Sequence, residues 1–292
     1  MPRSLPLERD IERVYANETA TIDYLLQEEV LYSRDICPTC GIGAMKRYQS
    51  RPKVWLCTNK ACRKGFSIFA DSFFAGNRVK CHDLLRIAYK WLAGQNYTAI
   101  MRQTGHDSKT ITTYLRFCRE LVAAHVSQDE VIGGPGIVVE VDESKFGRRK
   151  YHRGHRVEGV WVLGGVERTE KRRVFLVPVP DRKTETLVAV LRHHVAPGSI
   201  VHTDLWRGYS GLADALGVHH LTVNHSQGFR DHETGVDTNT IEGTWAGIKI
   251  GIAPRHRCKA FIAEHLAEFI WRRQNEGNLW DGFIRGLRET QY

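Results

Sequence analysis

The most informative stretch of the chain is an apolar run that ends in a carboxylate, Ile137-Val138-Val139-Glu140-Val141-Asp142. A second run, Ser199-Ile200-Val201-His202-Thr203, ends at Asp204, and Glu242 lies early in a helical segment that begins near Asn239. Each acid alone is more often an ordinary surface residue, because strand ends are common positions for Asp. Two acids at strand ends and one on a helix can instead converge on a pair of divalent cations, which activate water or a 3′-hydroxyl for attack on a phosphodiester. The three together therefore favour a two-metal site.

The elements around the three acids follow a readable order. Strand-like runs at 137–141, 157–167 and 172–179 predict an antiparallel meander of three strands. The chain then reads as helix, strand, helix, strand and the helix that carries Glu242, at 184–195, 199–203, 209–216, 218–223 and from 239. That is the order of a ribonuclease-H-like α/β domain. A Gly-Gly-Pro-Gly linker at 133–136 marks where the domain begins.

Four cysteines in two close pairs indicate a metal site near the N-terminus. Cys37 and Cys40 form the first pair, and Cys57 and Cys62 follow after a hairpin-sized insert. Two such pairs suit a tetrahedral Zn²⁺ bound by four thiolates, a closed site with a structural role. The alternative is a set of reduced structural cysteines. Gly41 can supply the turn that points backbone amides at sulfur. We expect one structural zinc ion in a zinc ribbon.

The segment between the cysteines and the linker reads as three helices. Apolar residues recur at a period near 3.6 through 84–92, Gly105 makes a turn, and Asp107 or Ser108 can cap a longer helix through His125. A short helix, a turn and a longer helix match a helix-turn-helix arrangement. Polar and basic residues would line the exposed start of its second helix and meet phosphates and base edges, namely Ser108, Lys109, Thr110, Thr112, Thr113, Tyr114 and Arg116. The alternative is a plain helical bundle that joins the two other modules.

Bulk properties narrow the class of partner. The 292-residue chain carries a formal net charge of +9, so phosphate-bearing partners are favoured. No stretch approaches the roughly 20 apolar residues of a membrane span, and the N-terminus leads into charged sequence without an apolar signal region. We therefore expect neither membrane insertion nor secretion. Seven cysteines, an odd number, favour metal ligation or free thiols over a disulfide framework.

Five motifs in the second half of the chain are long and ordered: VEVDESKFGRRK at 139–150, VEGVWVLGGVER at 157–168, HTDLWRGY at 202–209, LTVNHS at 221–226 and DTNTIEGTW at 237–245. They resemble the catalytic core of Merlin-type DDE transposases and of the related bacterial ISXO2-like insertion-sequence transposases. The resemblance covers roughly residues 135–275. An N-terminal zinc ribbon is also typical of that group.

The resemblance implies a DDE transposase with a ribonuclease-H-like core. In it Asp142, Asp204 and Glu242 are the metal-binding triad and hold two Mg²⁺ or Mn²⁺ ions, with Asp142 between both. Such an enzyme binds the terminal inverted repeats of its transposon and performs cut-and-paste transposition by DNA cleavage and strand transfer. Acting on two transposon ends and one target requires two active sites, so we expect a homodimer or higher oligomer on double-stranded DNA. The protein would be nuclear in a eukaryotic host and otherwise in the cytoplasm or nucleoid.

Residues near the acids have predicted supporting roles. Glu140 shares a strand face with Asp142 and can act behind the metal ligands, whereas Glu143 faces away. Lys249 lies two helical turns after Glu242 and can contact the DNA backbone near the scissile phosphate, although a surface lysine would look the same. A basic run between the first two strands is expected to grip phosphates, through Arg148, Arg149, Lys150 and Arg153. Core roles are expected for the neighbouring rings His202, His225, Trp206 and Trp245.

These features divide the chain into five predicted segments. They are an N-terminal helical segment at 1–34, a zinc ribbon at 35–78, a helix-turn-helix-like DNA-binding module at 79–130, a ribonuclease-H-like catalytic domain at 135–275 and a C-terminal tail at 276–292. The first segment and the residues after Trp271 have no assigned packing partner. Two other functions fit the same features: a domesticated, non-catalytic sequence-specific DNA-binding protein, and a structure-selective ribonuclease-H-like nuclease. The intact triad argues against the first, and modules suited to end recognition argue against the second.

Overall fold

The computed structural model describes residues 5–126, 130–147, 159–224 and 235–290. The chain divides into two compact units. One comprises the described residues of Met1–His125 and Asn275–Tyr292, and the other those of Val126–Gln274. Among the described residues, no helix combines the length and apolar character needed to cross a membrane.

The first unit begins with two helices, α1 (Glu8–Ile11) and α2 (Glu18–Gln27), joined by a 3₁₀ turn. Asn17 caps α2 by accepting a hydrogen bond from the backbone N–H of Ala20 at 2.9 Å. A three-stranded antiparallel sheet follows, with β1 (Met45–Tyr48), β2 (Arg51–Cys57) and β3 (Gly65–Ser67) in sequential order. This small sheet carries the cysteine pairs.

Three helices follow in the first unit, as the sequence predicted: α3 (Cys81–Leu92), α4 (Tyr97–Thr104) and α5 (Ser108–Ala124). Helix α4 ends at Gly105, whose φ of 73° is left-handed and therefore favours glycine. Helix α5 begins at a cap in which the Asp107 carboxylate accepts from the N–H groups of Lys109 and Thr110 at 2.8 and 3.0 Å.

The last described helix, α10 (Leu279–Glu289), also belongs to the first unit. Trp280 packs with its ring centroid 6.4 Å from that of Tyr24 and 5.9 Å from that of Tyr89. Its indole N–H donates to the Tyr24 hydroxyl at 2.9 Å. The segment that the sequence left without a packing partner therefore contains a helix that packs against α2 and α3 of the same unit.

The second unit is built on a five-stranded sheet. Its strands are β5 (Val138–Phe146), β6 (Val160–Glu167), β7 (Val174–Val179), β9 (Ile200–Asp204) and β10 (His219–Val223), in the spatial order β10-β9-β5-β6-β7. Strands β5, β6 and β7 are antiparallel, whereas β9 runs parallel to β5 and β10 parallel to β9. Two short strands, β4 (Ile132–Gly133) and β8 (Val195–Ala196), pair separately.

The helices of the second unit are α6 (Thr184–His194), α7 (Leu212–Leu216), α8 (Asn239–Gly251) and α9 (Ile262–Gln274). Three antiparallel strands, a helix, a strand, a helix, a strand and a helix therefore follow one another as predicted for a ribonuclease-H-like domain. The mixed α/β class is confirmed.

Alternation along β5 and β6 divides the core between the two faces of the sheet. Val139, Val141 and Leu163 pack with Leu187 of α6 on one face. Phe146 and Val162 pack with Trp245 of α8 on the other. Both faces of the sheet are therefore covered by packed side chains.

Strand β5 continues past Asp142, where the apolar run ends, to Phe146. The prediction that the strand ends at Asp142 is wrong, because backbone pairing with β6 persists from Asp142↔Gly164 to Phe146↔Val160. The apolar run ends at Asp142, but the ladder continues through Glu143, Ser144 and Lys145 to the buried Phe146.

Candidate active site

The register of β5 and β9 places two of the three predicted acids side by side. The parallel ladder between these strands extends to the pair Glu140↔His202. Asp142 and Asp204 each lie two residues further along, and side chains two residues apart on a strand point to the same face. The two carboxylates therefore lie at the same level on neighbouring strands.

Helix α8 brings the third acid and also holds the first. The indole N–H of Trp245 donates to Oδ2 of Asp142 at 3.0 Å. Trp245 can lie against β6 because the strand has a glycine there: a Cβ on Gly164 would stand 2.6 Å from the Trp245 ring. Glu242 lies one turn before Trp245 and accepts a hydrogen bond from the Thr238 hydroxyl at 3.3 Å.

We expect Gly164→Ala to lower the free energy of unfolding by about 1–3 kcal/mol, because the added methyl group must displace a packed indole. Gly247→Ala on α8 is the matched control, since a Cβ there meets nothing within 4 Å. In a helix the control should be neutral or stabilising by up to about 1 kcal/mol. Denaturant titration of both variants measures the difference, and equal stability of the two would contradict this packing.

Glu140 fixes the start of α8 against β5. The fully buried carboxylate accepts the backbone N–H groups of Thr240 and Ile241 at 2.8 and 2.9 Å. Those amides lie in the first turn of the helix, where backbone donors lack intrahelical partners and the helix dipole favours a negative charge. Glu140 was expected to support the metal-binding acids from behind, and it does so by capping the helix that carries Glu242.

Arg168 completes this arrangement. Its guanidinium hydrogen-bonds the Glu140 carboxylate and the Asp237 carboxylate, and it donates to the Asp237 backbone carbonyl at 2.9 Å. His202 is buried, and its Nδ1 lies 3.3 Å from the same carbonyl, in keeping with the expected core role. Burial lowers the pKa of His202. Sequence reasoning missed this role of Arg168, because its partners lie 28 and 69 residues away along the chain.

The electrostatics of the site reflect crowded acids. Burial, and to a lesser extent the charges of Asp204 and Glu242, raise the pKa of Asp142 to about 6 against the opposing hydrogen bonds. Burial and the charge of Asp142 raise the pKa of Glu143 to about 7. Ionised carboxylates that repel one another at a partly buried position suit a divalent cation, which neutralises them. In the described part of the chain, the three acids do not form a group with all oxygens within 4.8 Å.

The hydrogen-bond partner of Asp204 lies two residues further along the chain. Its Oδ1 accepts the backbone N–H of Trp206 at 2.9 Å, so the turn after β9 orients the carboxylate. Lys249 lies on α8 with its ammonium 5.6 Å from the centroid of the Phe146 ring, and the charge of Asp142 acts on it. Burial lowers the pKa of Lys249. The structure thus brings Lys249 to the same end of the sheet as the acids.

Only some of the predicted DNA-contacting residues lie in the described part of the chain. Arg148, Arg149, Lys150 and Arg153 lie outside the described residues. Lys109 and Arg116 are both exposed on α5, and Arg116 forms an ion pair with Glu120 at 2.8 Å. Placing Tyr114 on the exposed face was wrong, because Tyr114 is buried and its hydroxyl donates to Asn77 at 2.9 Å.

The four cysteines of the small sheet come together. Their sulfurs all lie within 4.8 Å of one another, with 3.8 Å between Cys37 and Cys62 and 3.7 Å between Cys40 and Cys57. The backbone N–H groups of Ile42 and Gly43 lower the pKa of Cys40 to about 6. Gly41 has a φ of 68°, which suits the predicted turn.

A family model and a sequence relative both relate the chain to transposases. The model of the ISXO2-like transposase domain matches residues 131–274. A protein of Haemophilus influenzae described as an uncharacterized transposase-like protein is 32% identical over 106 residues, which is 36% of this chain and 84% of that protein. The catalytic core domain of BIV integrase is 15% identical, with a TM-score of 0.31, over 44% of this chain and 79% of that one. That score is low, and the fold is assigned from the strand order instead. The chain belongs to the family of ISXO2-like transposases.

Proposed function

We propose that this transposase cleaves and joins DNA at a site formed by Asp142, Asp204 and Glu242. The observation that carries the proposal is that β5, β9 and α8 bring these three acids to one end of the sheet. Family membership supplies the reaction class, which is transfer of DNA strands. Such a reaction needs positioning and charge neutralisation at phosphorus more than covalent help from the protein.

The donor set fits hard divalent cations. Three carboxylates offer only oxygen ligands, which Mg²⁺ and Mn²⁺ prefer, and their mutual repulsion favours a bound cation. Two such ions, when bound, activate the attacking oxygen and stabilise the leaving oxygen. The chain itself orients the ligands: Trp245 holds Asp142, the backbone N–H of Trp206 holds Asp204, and the Thr238 hydroxyl holds Glu242.

Other residues supply contacts to the DNA. Lys249 is proposed to contact the DNA backbone near the scissile phosphate, and the support is its position on α8, where the charge of Asp142 acts on it. Lys109 and Arg116 line the exposed side of α5, where a helix-turn-helix would meet the transposon end. Arg148, Arg149, Lys150 and Arg153 are proposed to add phosphate contacts from the basic run.

We also propose that Cys37, Cys40, Cys57 and Cys62 hold one structural Zn²⁺. A tetrahedral ion with Zn–S bonds of about 2.3 Å sets its sulfurs about 3.8 Å apart, close to the sulfur–sulfur distances of 3.7 and 3.8 Å. A Cβ on Gly43 would stand 2.4 Å from the Cys57 sulfur, so this position needs glycine for the sulfurs to meet.

The function is tested on DNA that contains the ends of the element. Gel shifts without divalent metal measure binding, and denaturing gels with and without Mg²⁺ measure strand cleavage. The proposal expects binding without metal, and strand cleavage only when Mg²⁺ is present. Specific binding without cleavage in Mg²⁺ or Mn²⁺ would favour a non-catalytic DNA-binding protein. Preferential cleavage of branched DNA would favour a structure-selective nuclease.

Assembly gives a further prediction. The described residues offer one triad per chain, whereas cutting two transposon ends and joining them to one target requires two active sites. We expect the active species to contain at least two protein chains on paired end DNA. Mass photometry of the protein with end DNA measures the stoichiometry, and strand transfer by a complex of one chain and one end would contradict the prediction.

A further inference from the structure

Three cations and two tryptophans of the second unit form a continuous stack, which we call the cation–indole stack: Lys145, Trp161, Arg182, Trp206 and Arg207. The guanidinium carbon of Arg182 lies 4.1 Å from the ring centroid of Trp161 and 4.5 Å from that of Trp206. The Lys145 ammonium lies 5.1 Å from the Trp161 ring, and the Arg207 guanidinium 5.8 Å from the Trp206 ring. All four distances fall within the range in which a cation is attracted to an aromatic face.

The stack is assembled from parts of the fold that also position the acids. Lys145 lies on β5 three residues after Asp142 and pairs with Trp161 on β6. Trp206 begins the turn whose backbone N–H binds the Asp204 carboxylate. The stack therefore lies on the α6 face of the sheet, next to the strands that carry Asp142 and Asp204.

Local packing keeps the Trp206 ring in place. A Cβ on Gly208 would stand 2.5 Å from the indole nitrogen of Trp206, so the ring lies directly on the backbone of the Trp-Arg-Gly-Tyr turn. Trp161 and Trp206 both pack against the core under α6. The two rings are thus half-buried supports, and the cations at the ends of the stack, Lys145 and Arg207, are exposed.

The charge of Arg182 acts on the nearby Glu143 carboxylate. Within the described part of the protein, however, Lys145, Arg182 and Arg207 form no hydrogen bond and no ion pair within 4.0 Å, in contrast to Arg168 and Arg173, which are paired with carboxylates. A guanidinium stacked between two rings has both faces covered, and its N–H donors point outward in its plane. That arrangement suits a phosphate oxygen, because Arg binds phosphate through in-plane hydrogen bonds.

We propose that the cation–indole stack binds the phosphodiester backbone of the DNA strand that enters the Asp142–Asp204 site. This inference rests on the proposed function and specifies which surface beside the triad holds the substrate. Cations fixed by aromatic rings lose little side-chain freedom when they meet phosphates, and backbone contacts of this kind carry no sequence preference.

The test compares two substitutions at adjacent positions, each of which removes one positive charge. Arg182→Gln removes the central cation of the stack. Lys183→Gln is the control, because Lys183 is exposed and lies 3.8 Å from Asp181, outside the stack. The affinity is measured by fluorescence anisotropy of the full chain with an end duplex that carries a single-stranded extension. The salt concentration is varied from about 50 to 200 mM, and no divalent metal is added.

We expect Arg182→Gln to weaken binding about tenfold at low salt, and to reduce the slope of log affinity against log salt by about 0.7–0.9, the value for one lost phosphate contact. The loss should be equal on end DNA and on unrelated DNA. Arg182→Lys keeps the positive charge but loses the planar guanidinium, so its affinity should lie between those of wild type and Arg182→Gln. Lys183→Gln should change neither quantity by a comparable amount.

Arg207→Gln provides a second variant that leaves the core untouched, because Arg207 is exposed. It should reduce the slope in the same way and decides the matter if Arg182→Gln does not fold. Slopes of both stack variants equal to that of Lys183→Gln would overturn the inference. Cleavage of end DNA by the wild-type protein in Mg²⁺ is measured alongside, so that a failure of the proposed function is distinguished from a failure of the stack.

Discussion

Asp142→Asn, Asp204→Asn and Glu242→Gln are each expected to lower DNA cleavage at least about a hundredfold, while end binding stays within about twofold of wild type. Each change removes one negative charge and one oxygen ligand from a two-metal site, which is worth several kcal/mol, and each 1.36 kcal/mol is a factor of about ten. Binding should persist, because the proposed DNA contacts are cations elsewhere on the protein. Single-turnover cleavage and gel shifts on the same end DNA measure the two effects.

Asp214→Asn is the matched control for these variants. It is the same acid-to-amide change at an exposed position of α7 in the same unit, and it should leave cleavage unchanged. Asparagine at 142 can still accept the hydrogen bond from Trp245, so loss of cleavage there reports on charge rather than on packing. Retention of more than about a tenth of wild-type cleavage by any one variant would remove that residue from the triad.

The second large effect is expected from loss of the zinc ion. Structural Zn²⁺ in small modules binds with an apparent free energy of about 10–16 kcal/mol, which is also folding free energy. Elemental analysis should find one zinc per chain, and Cys57→Ser combined with Cys62→Ser should remove it. Chelation should unfold the small sheet of β1, β2 and β3, because beyond four sulfurs and a few partly buried rings its cluster contains little apolar surface.

Trp55 packs against the cysteine cluster and reports on this change by its fluorescence. Cys258→Ser is the control, since Cys258 lies outside the cluster and should leave the zinc content unchanged. DNA binding should weaken on chelation, whereas the five-stranded sheet of the second unit should keep its circular dichroism signal. Zinc that survives the double substitution, or a protein purified without zinc, would contradict the assignment.

Much of the second unit could be predicted from sequence, because the strands of its sheet other than β10 are largely buried and its helices bury one face. The apolar runs that end at Asp142 and Asp204 marked β5 and β9, and the acids themselves marked the end of the sheet where both strands meet. The same reasoning misplaced the end of β5, since the apolar run is interrupted at Asp142 while backbone pairing with β6 continues to the buried Phe146.

Contacts between distant segments were beyond the reach of the sequence. Arg182, for example, lies in a charged Asp-Arg-Lys segment that reads as a solvated loop, and its place between two tryptophans depends on how α6 and the turn after β9 fold together. The burial of Tyr114 was missed for a similar reason, because its hydroxyl partner Asn77 precedes α3. The spacing of apolar residues indicates which face of one helix or strand is buried, and it does not show which distant residue that face contacts.

The cap that Glu140 places on α8 has a consequence for how this protein can be recombined with its relatives. Strand β5 carries the proposed metal ligand Asp142 and also Glu140, which accepts the amides of α8. Helix α8 carries the proposed ligand Glu242, so β5 and α8 have to be exchanged together. A chimera in which residue 140 becomes apolar leaves the N–H groups of Thr240 and Ile241 without this acceptor, and the buried N–H of Ile241 alone costs about 1–3 kcal/mol. Crossover points that keep residues 140 and 237–242 together preserve the spacing of the acids, and those that separate them do not.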